Sequence, residues 1–181
     1  MDAVILKLDL SRAYDRVDWG LLRLILLQIG LPIEVVRWIM GCITTANFFV
    51  LVNGAPTSFF GCGRGLRQGC PLSPILFLLV IEGLSRLLTD ARISGRIKGV
   101  LFNSALALTH ILFVDDVIIY GMGDVEDWTE INRILKLFCC ASGMQLNFDK
   151  SCFIFHKQVC AVEAAIKEII PVKSSAIGDG L

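Results

Sequence analysis

Groups that bind soft metals or titrate near neutrality are scarce in this sequence. It has two histidines among 181 residues, and its seven cysteines (Cys42, Cys62, Cys70, Cys139, Cys140, Cys152, Cys160) form an odd set without a CxxC pair. Such a set argues against both a zinc site and a disulfide framework. The cysteines are expected as small core residues in a reduced, intracellular compartment. Long apolar runs are missing too, although 55% of the residues are hydrophobic and mean hydropathy is +0.68. A spanning helix needs roughly 20 uninterrupted apolar residues. Residues 72–81 end at Pro71 and Glu82, residues 21–40 are broken by Arg23, Gln28, Gly30, Pro32, Glu34 and Arg37, and residues 100–119 contain Asn103, His110 and an Asp pair. No membrane span is expected. The start, Met1 to Leu10, lacks the basic opening and cleavage site of a signal peptide. Repeats, low-complexity runs and linkers are also absent. So apolar a chain offsets its ordering entropy by burial, and its length suits one packed domain.

Net charge is zero, 17 Lys and Arg against 17 Asp and Glu, yet the charges are segregated. Arg64, Arg67, Arg86, Arg92, Arg96 and Lys98 crowd residues 61–100, and Asp115, Asp116, Asp124, Glu126, Asp127 and Glu130 crowd 115–130. A basic flank beside an acidic centre suits phosphate held through metal ions, whereas two solvated faces would give the same pattern.

Val4 to Asp9 reads as a strand ending in a carboxylate. Asp18 caps a helix that stops at Gly30, and Pro32 opens a second with Ile33, Val36, Ile39, Met40 and Ile43 at helical spacing. Residues 48–60 read as a hairpin turning at Asn53-Gly54. A glycine-studded loop, 61–69, precedes a helix whose N-cap and first turn are Ser73-Pro74 and which reaches about Ala91. Strands are expected at 97–102, 106–114 and 117–120, a helix over 125–141 ending at Ser142-Gly143, strands at 144–148 and 152–155, and an amphipathic segment over 159–170. Helices interspersed with hairpins point to an α+β fold, helices packed on one face of a largely antiparallel sheet.

Asp115-Asp116 lies between two apolar runs, His110 to Val114 and Val117 to Tyr120, which do not alternate with polar residues and so read as strands buried on both faces. The two acids then form the turn between them. Adjacent carboxylates repel, and holding them in a tight turn is costly unless a cation neutralises them. Asp9, at the end of another apolar strand, can add a third carboxylate. Carboxylates without Cys or His partners select magnesium or manganese.

Four blocks carry a resemblance: Asp9-Leu-Ser-Arg-Ala-Tyr14-Asp-Arg-Val-Asp-Trp19, Gly65-Leu-Arg-Gln-Gly-Cys-Pro-Leu-Ser-Pro74, Phe113-Val-Asp-Asp116 and Ser142-Gly-Met-Gln-Leu-Asn-Phe-Asp-Lys-Ser151. In order and approximate spacing they resemble the reverse transcriptase domain of LINE-type non-LTR retrotransposons, especially those of plants, over about residues 4–156. The resemblance implies a polymerase palm acting as an RNA-directed DNA polymerase. Asp9, Asp115 and Asp116 would hold two Mg2+ (or Mn2+) ions for transfer of a dNTP to a primer 3′-hydroxyl on an RNA template. Tyr14 occupies the position of an aromatic ring under the sugar that disfavours ribonucleotides. Gln68 and Gly69 match the motif that contacts the incoming nucleotide, Gly65 and Arg67 the part of it beside template and primer, and Lys150 the lysine near the triphosphate.

Val114 stands where the family most often has Ala. The chain starts eight residues before Asp9, so residues 1–171 are expected to be a partial domain with fingers and thumb largely missing, followed by a divergent tail over 172–181 and no endonuclease segment. On that expectation the 181 residues alone extend primers weakly or not at all. The family's location implies the nucleus. An RNA-directed RNA polymerase shares the acidic hairpin, but Tyr14 and the block from Arg67 to Pro74 argue against it. The alternative from another class is a truncated, inactive retroelement remnant with at most weak nucleic-acid binding.

Overall fold

The computed structural model describes residues 3–101, 107–155 and 160–176. β1 (Ala3–Leu8) leads through one turn of helix, α1 (Ala13–Arg16), into α2 (Trp19–Gln28) and α3 (Ile33–Thr44). β2 (Asn47–Phe48) and β5 (Phe60–Gly61) enclose an inner hairpin of β3 (Leu51–Val52) and β4 (Ala55–Pro56). The long helix α4 (Ser73–Ile93) precedes a small pair, β6 (Val100–Leu101) and β7 (Ala107–Leu108), and then the hairpin of β8 (His110–Phe113) and β9 (Asp116–Met122). α5 (Val125–Ser142), β10 (Cys152–Phe155), α6 (Cys160–Ile169) and β11 (Lys173–Ala176) complete the order.

The main sheet runs β11-β10-β1-β9-β8, with every pair antiparallel except β10 with β11. Side chains alternate across a strand, and one face carries Val4, Leu6, Leu8, Val117, Ile119, Phe153 and Phe155, all buried. The helices cover this face. Trp128 of α5, itself buried, donates its indole N–H to the Met122 carbonyl at 2.8 Å and meets the Phe153 ring edge-on at 5.1 Å. Leu76, Phe77, Val80, Ile81, Leu84, Leu88 and Ala91 give α4 its buried stripe at helical spacing. The opposite face, with Ile5, Lys7, Ile118, Tyr120, Cys152 and Ile154, is only half-buried. This is the expected α+β fold. No helix among the described residues is long and apolar enough to cross a membrane.

Local signals act where the sequence indicates. Asp18 caps α2, its carboxylate accepting from the Leu21 amide at 2.8 Å. Asn53 and Gly54 both have positive φ in the tight turn from β3 to β4, as a type I′ hairpin requires. Gly143 ends α5 in the left-handed region with φ +74.

Other expectations need correction. β8 is an edge strand, and Ile111 and Phe113 on its outer face are exposed; its continuous apolar run therefore does not mean burial on both faces. None of the six cysteines whose side chains are described is buried: Cys42, Cys62 and Cys140 are exposed, and Cys70, Cys139 and Cys152 are half-buried, because they sit on outward helix, loop and open-sheet positions. Ser73 is the first residue of α4 and not its cap, a position Leu72 takes without a side-chain bond. Of 144–148 only Leu146 pairs, in a single bridge to Leu10, since the chain turns at 148–150. Residues 102–106 and 159, within the expected strands and final helix, lie outside the described residues. The strand β11 was not expected, because Lys-Ser-Ser-Ala carries no apolar alternation.

The charged blocks largely meet each other. Arg96 pairs with Asp90 at 2.8 Å and with Glu130, Arg133 also reaches Glu130 at 2.7 Å, and Lys98 pairs with Asp124. The buried Asp127 accepts from the Lys98 amide at 2.9 Å. These contacts bind the end of α4 to the start of α5, at the far end of β9 from Asp116. Hydrogen bonds from Arg133 and then Arg96 hold the Glu130 carboxyl down to about 2. Its folded pKa lies below the unfolded one, so its stabilisation is present above about pH 4.5 and is lost as pH falls toward 2. The exposure of Arg96 and Arg133 limits the effect to about 1 kcal/mol. Urea unfolding at pH 6 and pH 2.5 is expected to give Glu130→Gln a smaller acid loss than the parent, and equal losses would remove Glu130 from the clamp.

Candidate functional site

Register brings two of the acids to the same end of neighbouring strands. Leu8 lies opposite Val117, and both are buried against the helices. Asp9 is one step beyond Leu8, and Asp116 is one step before Val117. Alternation turns both away from the helical face toward the open one, and burial continues to alternate through Leu8, Asp9 and Leu10. Asp116 also pairs across the hairpin with Phe113. The turn is therefore Val114-Asp115 rather than the Asp pair, because Asp116 already belongs to β9.

Val114 has φ +56 while Asp115 does not have positive φ, a pattern that glycine normally supplies at the first position of such hairpins. A β-branched residue there is strained. The described residues with positive φ other than glycine are Arg12, Asn53 and Val114. Asn53 is relaxed in its turn; Arg12 comes three residues after Asp9, and Val114 directly precedes Asp115. Strain of this kind collects where the surroundings hold a site in place.

The other end of β8 is anchored to the helical layer. His110 of β8 shares a 2.9 Å hydrogen bond with the Ser85 hydroxyl of α4 and another with Thr109. Burial pushes the His110 pKa down, which favours the neutral ring.

Asp9, Asp115 and Asp116 form an all-oxygen donor set suited to hard divalent ions. Among the described residues no three His, Cys, Asp or Glu side chains are gathered into a ready-made metal cage. The carboxylates share a sheet end without being gathered on a common point.

Tyr14 in α1 is half-buried, its ring stacked on Phe77 of α4 at 4.3 Å and nearly parallel. The glycine loop docks along the same turn of helix. The Gly65 amide donates to the Val17 carbonyl at 2.8 Å, the Leu66 amide to the Tyr14 carbonyl at 2.7 Å, and the Trp19 indole to the Gly65 carbonyl at 2.7 Å. Gly65 has φ +91, and a Cβ there would lie 2.5 Å from the Asp15 carbonyl oxygen. Its place is thus a packing requirement. Beyond it Arg67, Gln68 and Gly69 are exposed. Gly65, Arg67 and Gln68 line a cleft of about 380 Å³ with Asp15, Arg64 and Cys70. The Leu72 amide and then the Arg67 guanidinium hold the Cys70 thiol below its usual pKa. Lys150 is exposed in the turn at 148–150, its amide donating to the Asn147 carbonyl at 3.3 Å.

One residue beside the fourth motif's lysine gained no role from sequence. Ser151 is buried, accepts from the Asp9 amide at 3.0 Å and donates to the Asn147 carbonyl at 2.7 Å. The only sequence signal was its place next to Lys150.

Comparison with known proteins adds three kinds of likeness. Residues 1–167 match the family model described as reverse transcriptase (RNA-dependent DNA polymerase). An uncharacterized mitochondrial protein of Arabidopsis thaliana is 45% identical over 73 residues, 39% of this chain and 60% of its own. The transposon TX1 149 kDa protein of Xenopus laevis is 30% identical over 151 residues, covering 83% of this chain and 11% of its own. The Pol polyprotein from the type-2 retrotransposable element R2DM of Drosophila melanogaster is 29% identical over 163 residues, 87% of this chain and 15% of its own. The chain thus spans less than two thirds of each relative's length. In fold it is similar to telomerase from Candida albicans, solved with a fragment of telomeric RNA, at TM-score 0.65 and 16% identity, over 88% of this chain and 27% of that one. Apo telomerase from Candida tropicalis gives 0.66 and 14%, over 88% and 32%. These likenesses extend to a palm-like α+β fold.

Proposed function

This chain belongs to the reverse transcriptase family, as a domain of the LINE type, and from that premise we propose that it carries the catalytic palm for RNA-directed DNA synthesis. The observation that supports this most directly is the meeting of Asp9 and the Asp115-Asp116 hairpin at one end and on the open face of adjacent strands. The family generally uses divalent metal ions. Here Asp9 and Asp115, with Asp116 beside them, would hold two Mg2+ or Mn2+. Bound there, the ions would help deprotonate the primer 3′-hydroxyl and offset charge on the departing pyrophosphate.

The remaining work falls to the protein. As the 3′-oxygen bonds to the α-phosphorus of a dNTP and the bond to pyrophosphate breaks, alignment decides the rate. Tyr14, backed by Phe77, would set a flat wall under the sugar where a 2′-hydroxyl clashes. Gln68 and Gly69 would meet the nascent pair, with Gly65 and Arg67 carrying the loop beside template and primer. Lys150 would bring a positive charge, and a proton, to the leaving phosphates. The half-buried sheet face would form the floor under the RNA template and DNA primer.

Metal uptake tests this reading. Titrated with Mn2+, the 181-residue chain is expected to remove free ion from the paramagnetic resonance signal, and Asp9→Asn to abolish that uptake. A folded parent chain that takes up no Mn2+ would overturn it.

A further inference from the structure

We propose that Ser151 is a positioning residue for Asp9: its hydroxyl relays a hydrogen bond from the Asp9 amide to the Asn147 carbonyl and thereby fixes the direction in which the Asp9 carboxylate leaves the sheet. The inference rests on Asp9 being a metal ligand, as argued above.

Asp9 lies just past the ladder of β1, where the last partner on the β10 side is Cys152, opposite Lys7. The chain turns at 148–150, so β10 offers Asp9 no backbone acceptor in ladder register. The Ser151 hydroxyl takes that place at 3.0 Å, and the Asn147 amide donates to the Asp9 carbonyl at 2.9 Å. Both backbone groups of Asp9 are thus held by one short segment. The direction of the relay is forced. An amide can only donate and a carbonyl can only accept, so the single hydroxyl proton must go to Asn147 and a lone pair to Asp9. Ser151 is 1% exposed, so its hydroxyl bonds the Asp9 amide away from bulk water. Val4 to Lys7 have no such dependence, because strands on both sides pair with β1 there. A carboxylate at the first position beyond a ladder swings with its own φ and ψ; the Asn147 amide holds the carbonyl side of Asp9, and the hydroxyl holds the amide side. Groups that orient a metal ligand in this way typically affect metal affinity by about 10- to 100-fold.

Two measurements on the 181-residue chain test the relay. In the folded parent, the Asp9 amide is expected to exchange with deuterium at least about tenfold more slowly than in Ser151→Ala, with Ser151→Thr restoring protection. An Asp9 amide that exchanges in the parent as fast as an unstructured one overturns the proposal without any variant. At a temperature where melting curves show all three proteins folded, Mn2+ affinity is expected to fall about tenfold in Ser151→Ala and to return in Ser151→Thr. Equal affinity in parent and Ser151→Ala overturns the positioning role while leaving the metal site standing. Absence of uptake by the parent overturns the metal-site reading itself.

Discussion

Asp115→Asn is expected to lower metal-dependent primer extension by about a thousandfold or more, measured against the parent in a longer chain that carries fingers and thumb, with the melting temperature of the 181-residue chain within a few degrees. Asp115 is exposed in the β8–β9 turn, and surface changes of this kind move stability by about 0.5 kcal/mol or less. Asn keeps the shape and suits turns. What it loses is one full negative charge on a ligand that would hold the ions. Lewis-acid stabilisation of a developing charge amounts to several kcal/mol, and about 4 kcal/mol corresponds to a thousandfold. Tyr14→Ala is the contrasting variant. It uncovers Phe77 and should lower stability, yet it should leave metal demand alone while raising ribonucleotide use relative to deoxynucleotide. If Asp115→Asn kept most of the activity, the hairpin carboxylates would not be the ligands.

Gly65→Ala should unfold the protein about 10 °C earlier. Two terms add. A side chain at φ +91 costs about 1–2 kcal/mol, and a methyl group 2.5 Å from the Asp15 carbonyl oxygen adds overpacking of about 1–3 kcal/mol. The loop cannot back away, because the Gly65 amide and carbonyl are both bonded, to Val17 and Trp19. Gly69→Ala isolates the first term: its φ is +83, but nothing lies within 4 Å of the added carbon. Its loss should be about 1–2 kcal/mol. Equal shifts in the two variants by differential scanning calorimetry would show that the contact with Asp15 is loose.

Much of this architecture was legible because its signals are local. Asp18, Asn53-Gly54, Gly143 and the α4 stripe each state their structure within a few residues, and the observed helices start and stop where they indicate. Signals that depend on sheet position were not legible. The run from His110 to Val114 reads the same whether its outer face meets protein or solvent, and only the order of the strands makes β8 an edge. The acids of 115–130 look like one block, yet Asp124, Asp127 and Glu130 hold Arg96, Lys98 and the Lys98 backbone, and Asp115-Asp116 stand apart at the other end of β9. β11 has no apolar pattern because pairing with β10 requires only its backbone. The three-carboxylate set follows from motif and spacing. Ser151 does not, since its role arises only when Asp9 and residues 147–151, far apart in sequence, are brought side by side.

The central place of β1 in the sheet sets the order in which a nascent chain can fold. Val4 pairs with Gly121 on one side and Phe155 on the other, so the strand of this sheet that is made first is among the last to find its partners. At about 5–20 residues per second, the wait for β9 alone is on the order of 10 s. Throughout it the apolar stretch from Val4 to Leu8 has no sheet to join, and α4 can offer only a groove without its floor. Such delayed, long-range closure folds slowly and leaves a sticky strand open to chaperones or to a neighbouring chain.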